Sequence, residues 1–288
     1  MITRLIHTAQ RALGHTSPGR YFEVFDDDTF LVSFPKSGNT WTRFLIANLL
    51  HPGEPANFGN IDRLVPESEG LTRNQLANVP RPRIMKSHEY FDARLRKVVY
   101  IVRDPRDVVV SQFHFFRKRR RIADDSSIEQ FVTRFVAGET CDYGSWGTNV
   151  ASWLVARQHS PSFLMLRYED MVARTAEELA RVASFLELKA TPELIEQAVE
   201  RSSADQMRKL EVANTNAIVT KNSRQDVPFV RAAKAGGWRA ALPESAVKEL
   251  EAAWGPLMVY LGYELAFPEK TAHSDLRVPE TTLNGLSR

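Results

Sequence analysis

The residues best suited to chemistry lie at positions 33–41, which read SFPKSGNTW between two apolar stretches. A turn between a strand and the N-terminus of a helix presents backbone N–H groups and a positive dipole end to an anion. Lys36 adds a full positive charge, so this turn has the properties of a phosphate-binding loop. Its lysine precedes the glycine, whereas the Walker pattern places the lysine after the last glycine. The alternative is an ordinary strand-to-helix turn in which Ser37 or Asn39 caps the helix and Trp41 packs in the core.

A second cationic segment follows the apolar strand pattern at residues 97–102. Asp104 and Pro105 are typical of a helix N-cap and a first helical position, which explains them without any ligand. Arg103 is not explained in this way, because an arginine at the end of a buried strand is costly unless it meets an anion or a carboxylate. Its planar guanidinium matches a phosphate bidentately, and the Ser111 hydroxyl, two turns into the helix, is placed to join the same anion.

These two segments resemble the nucleotide-binding segments of the sulfotransferases that use 3′-phosphoadenosine 5′-phosphosulfate (PAPS). In that family a lysine before the glycine, with a tryptophan closing the turn, binds the 5′-phosphosulfate, and Lys36 and Trp41 match these positions. An arginine that ends a strand and a serine eight residues later bind the 3′-phosphate, and Arg103 and Ser111 match them. Because ligands of open α/β sheets lie beyond the carboxyl ends of the strands, we expect both segments to converge on one nucleotide. The resemblance extends from about residue 30 to residue 263.

The resemblance also implies a catalytic base. Lys86, Ser87 and His88 match, one for one, a lysine, a small hydroxyl residue and the histidine that is the base in the family. The unperturbed pKa of histidine suits removal of a proton from an attacking hydroxyl or amine near neutral pH. We expect Lys36 and Lys86 to stabilise the charge that builds on the bridging oxygen as the sulfuryl group moves. A histidine that is merely hydrogen-bonded at a strand end is the alternative.

Further nucleotide contacts follow from the same resemblance. The turn at residues 37–40 would hold the 5′-phosphosulfate, and Arg231 would join the 3′-phosphate site. Trp41 and Tyr168 would flank the adenine. The residues expected to bind the nucleotide are Lys36, Ser37, Gly38, Asn39, Thr40, Trp41, Arg103, Ser111, Tyr168, Ser202, Arg231, Ala232 and Ala233.

Three positions depart from the family pattern. Ala204 stands where the family has a phenylalanine beside the adenine, so that Trp41 would carry more of the stacking. Ala232 and Ala233 replace a lysine and a glycine, and alanine resists the positive φ that glycine adopts easily. Lys234 is placed to replace the lost charge.

The elements that must position these residues alternate between strand and helix patterns, which favours a parallel α/β sheet. We predict a P-loop-type three-layer fold with a central parallel sheet flanked by helices. The predicted strands are 31–34, 83–86, 98–102 and 163–167. The predicted helices lie near 40–50, 105–119, 127–137, 147–158, 176–186, 192–200 and 243–260. Residues 51–82 are predicted to form a long excursion between the first two strands, and residues 212–230 a loop.

The predicted organisation is an N-terminal amphipathic helix or arm at 1–20, one domain at 21–268 and a polar tail at 269–288. The N-terminal helix and the basic run at 117–121 are compatible with peripheral membrane contact or, for the run, an anionic acceptor. Packing of the helix on the domain and a solvated basic end of a helix are the alternatives.

The composition excludes several classes of protein. The 288 residues carry a net charge of only +3, which gives no support for nucleic-acid binding. One cysteine rules out an internal disulfide and a cysteine-built metal site. Without a metal-ligand cluster, a membrane-spanning run or a secretory signal, we expect a cytoplasmic protein that needs no metal.

The resemblance implies direct in-line transfer of a sulfuryl group from PAPS to an acceptor hydroxyl, which leaves adenosine 3′,5′-bisphosphate. The acceptor would be a small alcohol, a phenol or a lipid. The alternatives are a P-loop nucleotide kinase or NTPase that uses ATP with Mg²⁺, and a non-catalytic nucleotide-binding protein of a membrane surface. The dimer motif of cytosolic members is not recognisable near residues 242–244, so the sequence predicts no oligomeric state.

Overall fold

Four parallel strands form the central sheet of the computed structural model, which describes residues 21–214, 223–231 and 234–268. The strands are β1 (Thr29–Ser33), β2 (Ile84–Ser87), β3 (Lys97–Val102) and β4 (Phe163–Arg167), and their order is β2-β1-β3-β4. From β1 the chain continues to β2, which lies on one side of β1, and from β3 it continues to β4, which lies on the opposite side of the sheet. The switch point, where α/β folds bind ligands, therefore lies between the carboxyl ends of β1 and β3.

The central strands are apolar on both faces. In β1, Phe30 and Val32 belong to one core cluster and Leu31 to another, because successive side chains point to opposite faces. Helices cover both faces, which is the arrangement in which parallel sheets are stable. The predicted three-layer α/β fold is confirmed.

The helices, numbered along the chain, are α1 (Asn39–Leu50), α2 (Ile61–Leu64), α3 (Arg73–Ala77), α4 (Pro105–Lys118), α5 (Ile128–Val136), α6 (Trp146–Arg157), α7 (Tyr168–Ala173), α8 (Thr175–Phe185), α9 (Pro192–Arg201), α10 (Ala204–Ala213), α11 (Trp238–Ala241) and α12 (Glu244–Tyr260). One core cluster packs under α4, α5, α6 and α12, and the other under α1, α8 and α9.

The predicted strands and long helices are confirmed to within two residues at each end. Helix α10 lies where no helix is predicted from the sequence, and Ser203 caps it by accepting a hydrogen bond from the backbone of Gln206. As the predicted elements imply, residues 88–96 join β2 to β3 without a helix. Nine extended residues reach about 30 Å, enough to return along the sheet without a helix.

The excursion at 51–82 is held against the sheet. The buried guanidinium of Arg43, on α1, donates to the carbonyls of Val65 and Ile61 and pairs with Asp62 at 2.7 Å. Glu67 then bridges to Lys86 at the edge of β2, with the Lys86 N–H donating to the carbonyl of Pro66. The excursion therefore delivers its own side chains to the carboxyl end of the sheet.

The predicted arm at 1–20 and tail at 269–288 lie outside the described residues, so the domain boundaries remain predictions. The predicted loop at 212–230 is described only in part, since residues 215–222 lie outside as well. Among the residues that are described, none of the helices combines the length and the apolar character needed to cross a bilayer.

Candidate active site

The turn after β1 depends on two residues in the left-handed region of backbone conformation. Lys36 has a φ of 72° and Gly38 a φ of 102°. A Cβ on Gly38 would lie 2.5 Å from Cδ2 of Tyr168, so only glycine fits here. Gly38 is the N-cap of α1, and neither Ser37 nor Asn39 caps the helix with its side chain. The first N–H groups of α1 therefore remain available to an anion.

Two buried polar side chains support this turn from inside. The Asn39 amide donates to the carbonyl of Leu31 at 3.2 Å and to the Ser33 hydroxyl at 3.1 Å, which ties the helix start to β1. The Ser37 hydroxyl is fully buried and has no hydrogen-bond partner within the described parts of the chain. A buried hydroxyl without a partner is unusual in a folded protein and fits a site that receives a ligand. Thr40 follows in the first turn of α1.

The Lys36 ammonium lies between two aromatic rings, 4.3 Å from the centre of Phe115 and 4.5 Å from that of Phe229. Burial, with the nearby cations Arg103, Lys86 and Arg231 in support, lowers the pKa of Lys36 to about 7. The aromatic faces stabilise the ammonium, but the cations around it oppose its charge. An anion placed here would relieve that repulsion.

Arg103 brings the second cationic segment onto the first. Its Nη1 donates to the carbonyl of Lys36 at 3.3 Å, and its guanidinium lies 4.1 Å from the centre of the Tyr168 ring. Nη2 lies 3.8 Å from the carboxylate of Asp107, while the buried Nε finds no hydrogen-bond partner among the residues that the structure describes. Nη2 also donates to the carbonyl of Lys234 at 3.4 Å. The two segments are therefore neighbours at the switch point.

The third cation of this group is Arg231. It lines a small pocket together with Lys36 and Ser111, and its Nη1 donates to the carbonyl of Val110 at 3.4 Å. Burial and then Arg103 lower the pKa of Arg231. Residues Ala232 and Ala233, which are predicted to continue this site, lie outside the described residues.

Trp41 and Tyr168 form an edge-to-face corner, with ring centroids 5.9 Å apart at 75°. The Trp41 indole N–H donates to the carbonyl of Ser202 at 3.0 Å. The hydroxyl of Ser202 is buried and accepts a hydrogen bond from Asn48, so Ser202 reaches this corner through its backbone and Trp41.

His88 lies next to the end of β1. Its Nδ1 is 2.7 Å from the carbonyl oxygen of Ser33. A carbonyl only accepts, so Nδ1 carries the proton and Nε2 keeps the lone pair that a base needs. Burial and then the Lys86 ammonium lower the pKa of His88 to about 3, while Glu67 opposes that shift. The imidazole is therefore neutral at physiological pH, and the ring of Tyr143 lies 5.6 Å from it.

The Lys86 ammonium is buried and pairs with Glu67 at 2.8 Å. Burial lowers the pKa of Lys86, against the opposing effect of Glu67. Burial raises the pKa of Glu67, but Lys86 outweighs it and leaves that pKa lowered. Glu69 accepts a hydrogen bond from the Ser87 hydroxyl, and burial raises its pKa. Two carboxylates of the excursion thus lie beside the candidate base.

Several residues of this site are absent from the sequence-based prediction. Phe115 lies one turn after Ser111 on the same face of α4, a spacing that points to a shared environment. The Asp107 carboxylate accepts hydrogen bonds from the N–H groups of Gly236 and Trp238, so it holds residues 236–238 near Arg103. Nothing in the local sequence identifies Phe229 or Glu67 as neighbours of Lys36 and Lys86.

The basic run at 117–121 is not uniformly a solvated helix end. Lys118 is buried and pairs with Glu211 at 3.2 Å, whereas Arg117 pairs with Asp124 at 3.3 Å near the surface. Within the described part of the chain, no group of three or more His, Cys, Asp or Glu side chains is arranged to hold a metal ion.

Comparison with known proteins gives consistent matches. A family model described as a sulfotransferase domain matches residues 26–262. The bovine (Bos taurus) sulfotransferase 1E1 is 31% identical over 234 residues, which cover 76% of this chain and 79% of that protein. The 3-beta-hydroxysteroid sulfotransferase of Cavia porcellus is 30% identical over 229 residues, with the same two coverages.

A solved structure of retinol dehydratase, in complex with androsterone and the inactive cofactor PAP, has a similar fold. Its TM-score is 0.68 at 23% identity, over 90% of this chain and 84% of that one.

Proposed function

This chain belongs to the sulfotransferase family and is a sulfotransferase enzyme, and on that premise we propose that it moves a sulfuryl group from PAPS to the hydroxyl of a small acceptor. The observation that carries the proposal is the hydrogen bond from Arg103 to the carbonyl of Lys36. It makes the two anion-binding segments adjacent, as a nucleotide with phosphates at both its 5′ and 3′ positions requires.

We call the cations Lys36, Arg103 and Arg231, together with the hydroxyl residues Ser37 and Ser111, the donor side. This group fits PAPS because two of its buried polar atoms, the Ser37 hydroxyl and Arg103 Nε, have no hydrogen-bond partner among the described residues. Lys36 and the turn at 37–40 would hold the 5′-phosphosulfate, while Arg103, Ser111 and Arg231 would hold the 3′-phosphate. PAPS supplies an activated sulfuryl group and a stable leaving group when it is bound.

The corner of Trp41 and Tyr168 would receive the adenine. Its two rings meet at 75°, so a base can stack on one ring and contact the edge of the other. Ser202 would support this contact through the indole of Trp41.

We call the group around His88, which comprises Lys86, Glu67, Glu69 and Tyr143, the acceptor side. His88 Nε2 would take the proton from the acceptor hydroxyl as its oxygen bonds to sulfur. The bond between sulfur and the 5′-phosphate oxygen breaks, and adenosine 3′,5′-bisphosphate leaves with the electron pair. Lys36 and Lys86 would stabilise the negative charge on the bridging oxygen.

The low pKa of His88 fits this role once the charge of the donor is considered. The neutral imidazole is the basic form, and burial keeps it neutral in the free protein. Negative charge arriving on the donor side would raise the pKa of His88 and of Lys36 together. The base would then be strongest when the donor is bound.

The acceptor class rests on the relatives. One is a 3-beta-hydroxysteroid sulfotransferase, and the retinol dehydratase structure contains androsterone. We therefore propose a hydroxylated small molecule, such as an alcohol, a phenol or a lipid, as the acceptor.

A thermal-shift comparison, followed by a transfer assay with labelled PAPS and a panel of hydroxylated acceptors, tests the proposal. At about 100 times its dissociation constant, a ligand stabilises the fold by roughly 2.7 kcal/mol, or several degrees in Tm. We expect that shift with adenosine 3′,5′-bisphosphate in the absence of metal, and little shift with ATP and Mg²⁺. The reverse order would favour a nucleotide kinase and reject the sulfotransferase assignment.

A further inference from the structure

A buried ion pair, Lys118 with Glu211, lies beside the donor side, and Lys118 lines the small pocket that Lys36, Ser111 and Arg231 share. We propose that Lys118 and Glu211 are positioning residues, which hold the segment at 223–231 so that Phe229 and Arg231 meet Lys36. Loss of the pair would weaken the binding of PAPS while leaving the chemistry at His88 intact. This inference rests on the proposed function, because it assigns the segment to the donor side.

The Lys118 ammonium makes three hydrogen bonds within the fold. Its side chain is 1% exposed, and Nζ donates to the Glu211 carboxylate at 3.2 Å. It also donates to the carbonyls of Arg224 at 3.0 Å and Val227 at 2.7 Å. Each of its three protons therefore has an acceptor, and two of those acceptors belong to the segment.

Glu211 binds the same segment from the other direction. Its Oε1 accepts a hydrogen bond from the backbone of Phe229 at 2.7 Å, and its Oε2 accepts one from Val230 at 3.0 Å. Lys118 is the last residue of α4 and Glu211 lies in the last turn of α10. One ion pair thus joins the ends of two helices to the backbone of residues 224–230.

The segment carries two groups of the donor side. The Phe229 ring lies 4.5 Å from the Lys36 ammonium, and Arg231 shares a pocket with Lys36 and Ser111. Helix α4 begins two residues after Arg103 and contains Ser111, so the same helix carries donor-side groups and the anchor. A shift of the segment would move Phe229 and Arg231 relative to Ser111.

Stability alone does not account for this pair. A buried ion pair is often no more stabilising than apolar residues of similar volume, because both charges lose their hydration. The pair does fix geometry, since two backbone donors and two backbone acceptors depend on the positions of two side chains. Removing one partner would leave a buried charge, so both must be neutralised together in a fair test.

The chain offers a matched control in Arg83 and Asp28. Their side chains are 2% and 0% exposed, and they pair at 2.5 Å. Arg83 also donates to the backbone carbonyls of Leu76 and Glu23, so this pair too ties loops together. It lies at the amino ends of β1 and β2, opposite to the end that carries the donor side.

The test compares Lys118→Met/Glu211→Gln with Arg83→Met/Asp28→Asn in the full chain. The measurements are KM for PAPS, KM for the acceptor, kcat, and Kd for adenosine 3′,5′-bisphosphate. We expect the first variant to raise KM for PAPS and Kd by about tenfold or more, because small displacements of binding groups are costly. Its kcat at saturating PAPS and its acceptor KM should change by less than about threefold. The control should lower Tm and leave Kd within about twofold.

A folded first variant with unchanged Kd would overturn the proposal, as would an equal loss of affinity in the control. If the first variant does not fold, Glu211→Asp decides the question. This change keeps the charge but shortens the side chain, so we expect a higher KM for PAPS, and an unchanged KM would reject the positioning role. If the wild-type chain does not bind adenosine 3′,5′-bisphosphate, the proposed function itself fails.

Discussion

The donor side and the acceptor side differ in how their charges are paired. On the donor side Lys36, Arg103 and Arg231 lie close together, and the nearest described carboxylate, Asp107, already accepts two backbone hydrogen bonds. On the acceptor side the Lys86 ammonium has its own carboxylate, Glu67, at 2.8 Å. The donor side is thus short of negative charge until an anion arrives. The acceptor side is balanced by the protein itself.

This difference indicates that the donor side is the one suited to bind a negatively charged ligand. Clustered cations repel one another and cost free energy in the free protein, and a polyanion would recover that cost on binding. An acceptor hydroxyl is uncharged, so its binding does not relieve any repulsion between charges. Its side of the site therefore needs only a base and a stable geometry. In the free protein, burial first and neighbouring cations second lower the pKa of Lys36 to about 7 and that of His88 to about 3.

The largest expected effect is at His88, on the acceptor side. We expect His88→Ala to lower kcat by about 10²–10⁴-fold, because the acceptor proton loses its base. The Kd for adenosine 3′,5′-bisphosphate, measured by calorimetry, should stay within about twofold, since His88 belongs to the acceptor side. His159→Ala is the control, because His159 is exposed. Full turnover by the His88 variant would reject its assignment as base.

Lys36→Met tests the donor side directly. We expect kcat/KM for PAPS to fall by about 10²–10³-fold, because the charge of the leaving group loses a preorganised cation. The Tm should not fall, because removal of the Lys36 charge relieves its repulsion with the neighbouring cations. Lys248→Met is the control, because Lys248 is half-exposed and pairs with Glu244. A loss no larger than that of the control would remove Lys36 from the site.

The pH dependence of binding sharpens the contrast between the sides. Above pH 7 a lysine with a pKa of about 7 is increasingly neutral, whereas a bound anion favours the ammonium. Binding must then take up a proton, so the affinity for adenosine 3′,5′-bisphosphate should fall by up to about tenfold per pH unit above 7. Lys36→Arg should abolish this dependence, because arginine stays charged. An affinity independent of pH between 7.5 and 9 in the wild type would contradict the expectation.

The smallest expected effect concerns the acceptor side. Ionised Glu67 should disfavour an acceptor that carries a carboxylate relative to a matched acceptor that carries an ammonium. We expect Glu67→Gln to shift the ratio of kcat/KM for 4-hydroxyphenylacetate and tyramine by about fivefold toward the anion, equivalent to about 1 kcal/mol. Glu54→Gln is the control, because Glu54 is exposed and pairs with Arg63. An unchanged ratio would mean that Glu67 acts only on Lys86.

Much of the fold could be predicted because its signals are local. The apolar runs that become β1 and β3 are buried on both faces, and Asp104 with Pro105 begins α4 as expected. The unpredicted α10 shows the limit of such signals, because contacts with residues far along the chain hold this helix in place.

The grouping of Lys36, Arg103 and His88 followed from the sequence for a physical reason. Each comes at or just after the end of a strand, and the carboxyl ends of parallel strands meet at one edge of the sheet. Their positions at the strand ends required no knowledge of side-chain packing.

The amino-acid sequence by itself determined the four strands, most of the long helices, the parallel character of the sheet and the three cationic or basic residues at the strand ends, because each depends on short-range patterns. Only the tertiary structure decided how their charges are balanced. The pairs Glu67–Lys86 and Lys118–Glu211 join residues that are 19 and 93 positions apart. Electrostatic and aromatic contacts act over a few ångströms in space, and the sequence alone does not reveal which distant residues approach so closely.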